Sequence, residues 1–281
     1  MHKSLRPLRL NSISMKQLTD QIGTSHFLES TPRRIVSLVP SQTELLFDLG
    51  LEDQIVGITK FCVHPKQLLT TKKIVGGTKQ VHFDKIKALQ PDIIICNKEE
   101  NTLEMVQELS AIALVWVTNV VTIADNFQMI TDFGLLFDTT AEAKILNESI
   151  HLELADFTTF IATIPTQNAV YFIWKKPYMI AGSGTFINEL LQLNRFDNFF
   201  GTQSRYPEIA VDASTRYDAV DLVLLSSEPY PFKNEDVAEF TSFFPNAKIR
   251  LVDGEYFSWH GSRLLKAISY FKLFHQTILT E

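Results

Sequence analysis

Six loops hold most of the side chains in this chain that could grip a ligand or a metal, and each follows a short apolar run. In the first half they are Pro40-Ser41-Gln42, Lys60-Phe61-Cys62-Val63-His64-Pro65 and Asn97-Lys98-Glu99-Glu100-Asn101. In the second half they are Trp174-Lys175-Lys176-Pro177-Tyr178, Ser226-Ser227-Glu228-Pro229-Tyr230 and Phe257-Ser258-Trp259-His260-Gly261-Ser262-Arg263. Aromatic walls with a few charged groups suit a sizeable organic ligand or chelate. Cys62 and His64 offer soft metal ligands at Cys-x-His spacing, with Glu228 as a third group. That falls short of the four ligands of a structural zinc site, and a buried cysteine beside a hydrogen-bonded loop histidine fits the same residues.

The remaining candidates each carry two readings. Glu99 and Glu100 can receive a cation, or can simply favour the start of the helix that follows them. Arg263 can clamp a carboxylate or phosphate through its planar fork, or can pair with an acid in a neighbouring loop. Trp174 and Tyr178 are cleft walls or a half-exposed pair at a strand end. Gly182-Ser-Gly-Thr185 lacks the lysine of a phosphate-binding loop and the third glycine of a dinucleotide fingerprint, so a helix-entry turn is expected there. Nucleophilic chemistry has little to stand on, because there is neither a Gly-x-Ser-x-Gly elbow nor a His-Glu-x-x-His pair.

The elements that would position these loops follow from the apolar pattern. Buried strands are expected at 34–39, 54–59, 92–96 and 114–118, then at 168–174, 221–226 and 248–252. Helices are expected at 41–49, 83–90, 101–110, 184–194, 234–241 and 262–279. Strands alternating with helices make mainly parallel sheets with ligand loops at the carboxyl ends of the strands. Ser41 and Glu44 have the spacing of a capping box, and Gly50 suits the stop of the same helix. Residues 141–161 keep helical spacing without proline or glycine, and such a helix spans on the order of 33 Å, enough to join two lobes. Asp92-Ile-Ile-Ile-Cys96 and Asp221-Leu-Val-Leu-Leu225 match each other half to half. The expected division is an N-terminal extension and entry segment at 1–30, an α/β lobe at 31–138, a bridging helix at 139–163 and a second α/β lobe at 164–281.

Composition narrows the class. The 281 residues, 45% hydrophobic and 21% charged, are those of an ordinary globule, and the net charge of −6 argues against a nucleic-acid partner. No apolar run reaches the length of a membrane span. Residues 1–31 show no apolar core of a secretory signal, whether translation starts at Met1 or Met15, so a cytoplasmic location is expected, or a periplasmic one if export takes another route. Two cysteines far apart in sequence, Cys62 and Cys96, allow a disulfide, but two free thiols fit the missing signal better.

The strings Ile35-Val-Ser-Leu-Val-Pro-Ser-Gln-Thr-Glu44, Leu89-Gln-Pro-Asp-Ile-Ile-Ile95, Gly182-Ser-Gly-Thr-Phe-Ile-Asn-Glu-Leu-Leu191 and Asp221-Leu-Val-Leu-Leu225 resemble the substrate-binding proteins of ABC importers for cobalamin and iron-siderophores. The likeness covers roughly residues 30–278. It implies two Rossmann-like lobes joined by one long helix, the class III periplasmic-binding-protein arrangement. Cys62-Val-His-Pro65, Lys98-Glu-Glu-Asn101 and Ser226-Ser-Glu-Pro-Tyr-Pro-Phe232 are similar to a branch labelled helical backbone metal receptor, whose members lack an export signal. The resemblance implies a ligand held between the lobes by Ser41, Phe61, His64, Asn97, Glu99, Glu100, Trp174, Tyr178, Arg205, Tyr206, Glu228, Tyr230, Trp259, His260 and Arg263. It implies docking on an ABC permease through Asp84 and Asp212, where the family's usual residue is Glu. The function expected is non-catalytic binding of a metal chelate or a corrinoid- or siderophore-like molecule. The protein would serve an importer or act as a cytoplasmic carrier or sensor, as a monomer with no required cofactor. The alternative is an enzyme that releases or reduces the metal with Cys62, His64 and Glu228.

Overall fold

Asp92 and Asp221 do one job in two different sheets. Asp92 Oδ2 accepts the backbone N–H groups of Arg33 and Arg34 at 2.8 and 2.9 Å. Asp221 Oδ2 accepts that of Asn168 at 2.8 Å. Each carboxylate therefore ties the entry of a lobe's fourth strand to the entry of its first, and the likeness of the two strings is a likeness of structure.

The computed structural model describes residues 15–211 and 217–280. A hairpin of β1 (Lys16–Thr19) and β2 (Ser25–Leu28) precedes the first lobe. That lobe contains β3 (Ile35–Ser37), α1 (Pro40–Asp48), β4 (Ile55–Ile58), α2 (Leu68–Thr71), β5 (Lys73–Ile74), α3 (Phe83–Ala88), β6 (Ile93–Asn97), α4 (Leu103–Leu109) and β7 (Leu114–Thr118). Its strands form a parallel sheet in the order β5-β4-β3-β6-β7. The order reverses between β3 and β6, which opens a crevice at their carboxyl ends. Every residue of β6 is buried, as a parallel strand covered on both faces requires.

Two helices, α5 (Ile123–Phe137) and α6 (Thr140–Ile161), lead to the second lobe. It holds β8 (Gln167–Trp174), β9 (Met179–Ile180), α7 (Phe186–Leu193), β10 (Phe196–Asn198), β11 (Leu222–Ser226), α8 (Asn234–Phe243), β12 (Lys248–Val252), α9 (Gly254–Ser258) and α10 (Arg263–Thr280). The sheet runs β10-β8-β11-β12 in parallel, with β9 antiparallel on β8. The fold is thus α/β, two lobes of related design joined by a 22-residue helix. One buried apolar cluster runs from Ile95 through Met129, Phe133, Ile150, Phe157 and Phe271 to Leu224, so the lobes share a core across α5, α6 and α10. Lys272 on α10 adds ion pairs to Glu153 and Asp156 on α6.

One local expectation changes, and two features are added to the others. The Ser41–Glu44 capping box does not form. Pro40 occupies the first turn of α1, which needs no N–H there, Val39 is the cap residue, and no side chain caps it. The helix expected over 141–161 forms as α6, and a separate helix, α5, precedes it. Thr122 and Asp125 make a reciprocal capping box for α5, and Asp138 at φ 57° turns the chain into α6. Within the entry segment residues 16–28 form the hairpin, and Asp20 binds it to the sheet. Its carboxylate accepts the N–H groups of Ile22 (3.2 Å), Thr24 (2.8 Å) and, on β7, Val117 (3.3 Å), and it lies 3.1 Å from His26 Nε2. Burial pushes this carboxyl up, but His26 and the backbone donors outweigh it and hold it below the usual range. Asp20→Ala is expected to cost about 1–3 kcal/mol by orphaning buried N–H donors, read as a lower urea midpoint. An unchanged midpoint would show that the hairpin is not anchored there.

Gly50 does end α1 as expected: at φ +79° its N–H returns to Phe47 O at 2.9 Å. Gly182 to Thr185 is a helix entry, with Thr185 Oγ1 accepting Asn188 N–H at 3.1 Å.

Candidate functional site

The carboxyl ends of both sheets bring their loops together, and a line of polar bonds crosses between lobes. Ser41 Oγ lies 3.3 Å from His260 Nδ1. Glu44, one turn along α1, takes Arg263 in a two-pronged pair, at 2.7 Å to Nε and 3.1 Å to Nη2. The other guanidinium nitrogen, Nη1, meets Glu255 Oε2 at 2.9 Å, and that carboxylate oxygen lies 2.8 Å from His64 Nε2. Lys266 closes the chain on Glu44 at 2.9 Å. Arg263 also stacks over Trp259, 4.8 Å from the ring centroid. Gly261 permits this close approach. Its φ is +92°, and a Cβ there would sit 3.3 Å from both Leu45 Cβ and Ser41 O. Asn126 on α5 adds bonds to both the N–H and the carbonyl of Gly261.

Several expected ligand groups therefore have structural work. His260 is buried, and burial lowers its imidazole to about 4, so it stays neutral. Arg263 is saturated by Glu44 and Glu255, which favours the ion-pair reading over an anion clamp. Asn97 is buried. Its amide donates to Thr118 Oγ1 at 3.0 Å, and its carbonyl accepts Glu99 N–H at 2.8 Å, shaping the Glu99–Glu100 loop. Tyr178 packs on Phe240 and Phe243 and donates its hydroxyl to Glu239.

Of the other candidates some face outward and some are half-buried. Phe61 is 48% exposed and Trp174 38%, with Tyr230 edge-on to Trp174 at 5.8 Å. Tyr206 donates its hydroxyl to Glu99 across the lobes, and Arg205 Nη2 stands 3.6 Å from the same carboxylate. Glu228 Oε1 accepts both Ser258 Oγ at 2.8 Å and Trp259 Nε1 at 2.9 Å. Burial, with a contribution from the charges of Glu255 and Glu100, pushes the Glu228 carboxyl up. Burial also pushes up Glu100, against the pull of Lys79.

The soft-metal set does not assemble. Cys62 turns into the core, with its Sγ 3.1 Å from Thr43 Oγ1 and 3.2 Å from Thr59 Oγ1, and burial raises its thiol. His64 is instead taken by Glu255. Among the described residues no three His, Cys, Asp or Glu side chains converge to hold a metal ion. Asp84 is exposed in the first turn of α3, and Asp212 lies outside the described residues. Glu255, Asn126 and Glu189, which accepts Ile123 N–H at 3.2 Å, complete the lobe contacts, and no local motif marks any of them. A hollow of about 320 Å³ between Gly50, Gln54, Asp138 and Glu142 contains none of these loops.

Residues 35–246 match the model of the periplasmic binding protein family. The chain is 25% identical over 194 residues to an uncharacterized ABC transporter substrate-binding lipoprotein of Bacillus subtilis, covering 66% of this chain and 61% of the relative. It is 24% identical over 187 residues to the vitamin B12-binding protein of Vibrio cholerae, covering 64% and 65% of the two chains. It thus spans less than two thirds of the length of either relative. Among solved structures, the periplasmic vitamin B12 binding protein of Vibrio cholerae superposes with a TM-score of 0.75 at 17% identity, covering 89% of this chain and 99% of that one. A periplasmic heme binding protein from Pseudomonas aeruginosa superposes with a TM-score of 0.72 at 21% identity, covering 85% and 91%. With three quarters of its length matched by one family model and the same two-lobed fold, the chain belongs to the periplasmic binding protein family.

Proposed function

We propose that the protein binds a metal chelate or a corrinoid- or siderophore-like molecule between its lobes, without transforming it, as the substrate-binding component of an ABC importer. The observation that carries this reading is the meeting of strand-end loops from two parallel sheets, with aromatic faces of Phe61, Trp174 and Tyr230 left open beside them. Relatives named for vitamin B12 and heme support a macrocyclic or chelated cargo. Relatives named as periplasmic or lipoprotein support work outside the cytoplasm, and the cytoplasmic expectation has no support among them. No described helix is long and apolar enough to cross a membrane.

The shared core across α5, α6 and α10, with the Arg263 network, favours a small change of shape on binding. Titration of the protein with cobalamin, haem and ferric siderophores, followed by tryptophan fluorescence, is expected to saturate at one ligand per chain for at least one class. Trp174→Ala is expected to weaken that ligand by roughly tenfold, as the loss of one aromatic wall implies. Failure of every class to saturate would sink the reading. Recovery of chemically altered ligand by mass spectrometry would favour the enzyme alternative instead.

A further inference from the structure

Glu228 and Glu100, both half-buried, differ from the other charged groups at the strand ends. The cations nearest these loops are already engaged, Arg205 and Lys79 from exposed positions. Arg263 is held by Glu44 and Glu255, and His64 by Glu255. Lys175 is held by Asp236 and Glu239, each at 2.6 Å. Arg205 faces Glu99 and donates to Gly184 O, and Lys79 donates to the Glu99 carbonyl. Lys60, Lys98 and Lys176 on the same loops are exposed, with Lys60 over the Phe61 ring. Glu228 has only neutral donors, Ser258 and Trp259, and both go to one oxygen. Among the described residues no Lys, Arg or His pairs with it. Glu100 of the opposite lobe is half-buried in the loop whose neighbour Glu99 takes the Tyr206 hydroxyl across the lobes; its carboxylate has the neutral donor Thr78 and feels Lys79 only at a distance.

A carboxylate removed from water without a cation gains most from a cation or an N–H donor placed against it. An anion in that position meets two like charges in a weakly screened space. The aromatic walls described above are indifferent to the sign of a ligand's charge. The choice therefore falls to the two acids.

We infer that the cleft selects a metal complex whose rim carries cationic or N–H donor groups and rejects polyanionic complexes, with Glu228 and Glu100 as the specificity-determining side chains. This rests on the cleft being the ligand site, as proposed above.

The test compares complexes that differ mainly in charge. Ferrioxamine B, with its free ammonium arm, is set against the same chelate N-acetylated and N-succinylated. Cobalamin is set against haem and a ferric tris-catecholate. The wild type is expected to prefer ammonium over succinyl ferrioxamine, or cobalamin over the anions, by at least tenfold. Glu228→Gln keeps the acceptor for Ser258 and Trp259, so the fold persists, checked by circular dichroism. This variant, and Glu100→Gln, is expected to narrow the preference at least tenfold while the neutral complex changes little. Equal or tighter binding of the anionic complexes by wild type overturns the inference and leaves the cleft reading intact. An unchanged preference in both variants also overturns it. Absence of binding by every complex, whatever its charge, overturns the cleft reading and this inference with it.

Discussion

Arg263→Met is expected to lower the unfolding free energy by about 3–5 kcal/mol, the cost of breaking a buried ion pair from one side. The Glu44 and Arg263 side chains are only 4% and 5% exposed, so neither can be rescued by water. Loss of the guanidinium leaves Glu44 to Lys266 alone, an amine that is itself largely exposed, and leaves Glu255 to His64. Arg263→Lys should recover only part, because an ammonium cannot replace a fork that reaches Glu44 twice and Glu255 once. The double variant Glu44→Met/Arg263→Met is the discriminating measurement. With both charges removed it should be more stable than Arg263→Met, since the desolvation cost disappears with the pair. Guanidinium denaturation of the three variants reads this out. A single-variant loss below about 1 kcal/mol would show that the pair behaves as if exposed.

Acidification should destabilise the protein below about pH 6.5, through His260 first. Its folded imidazole is lowered by burial from an ordinary 6.5 to about 4. The unfolded chain therefore takes up a proton that the folded chain refuses. Stability is complete above pH 6.5 and is lost as pH falls toward 4, by up to ~3 kcal/mol for a displacement of that size. His275, hydrogen-bonded to Asn194 at 3.0 Å among Phe157, Phe196 and Phe274, is lowered to about 4 by the same cause and acts in the same sense. Glu228, Glu100, Asp48 and Asp132 work the other way. Burial raises each carboxyl, so their protonation favours the folded state as pH falls through the raised values. His260→Gln isolates the first effect, because its amide can still accept from Ser41. Between pH 7.5 and 4.5 its urea midpoints should fall less steeply than those of the wild type. Parallel profiles would mean that His260 does not carry the acid limb.

The strands were legible because a parallel strand covered on both faces must be apolar along its whole length. Ile93-Ile94-Ile95 and Leu222 to Leu225 state this without any neighbour. The 22-residue helix was legible for a similar reason, as unbroken spacing with no proline or glycine. The loops at the strand ends followed from topology alone. What stayed hidden was the partner of each side chain. Ser41 and Glu44 have the spacing of a local cap, yet a histidine and an arginine some 219 residues away claim them. Cys62 and His64 stand two apart, but the chain turns one into the core and the other toward Glu255. Asp20 gives no sign in the sequence that it anchors a hairpin to β7.

The sequence by itself determined the α/β rhythm, the long joining helix and the set of loops from which a cleft had to be built. These depend on periodicity and on residues within a few positions of one another. Tertiary structure alone decided which acids gain a cation and which do not. Ion pairing depends on distances across lobes, and spacing along the chain does not encode them. Arg263 is thereby taken by Glu44 and Glu255, while Glu228 has only the neutral donors Ser258 and Trp259.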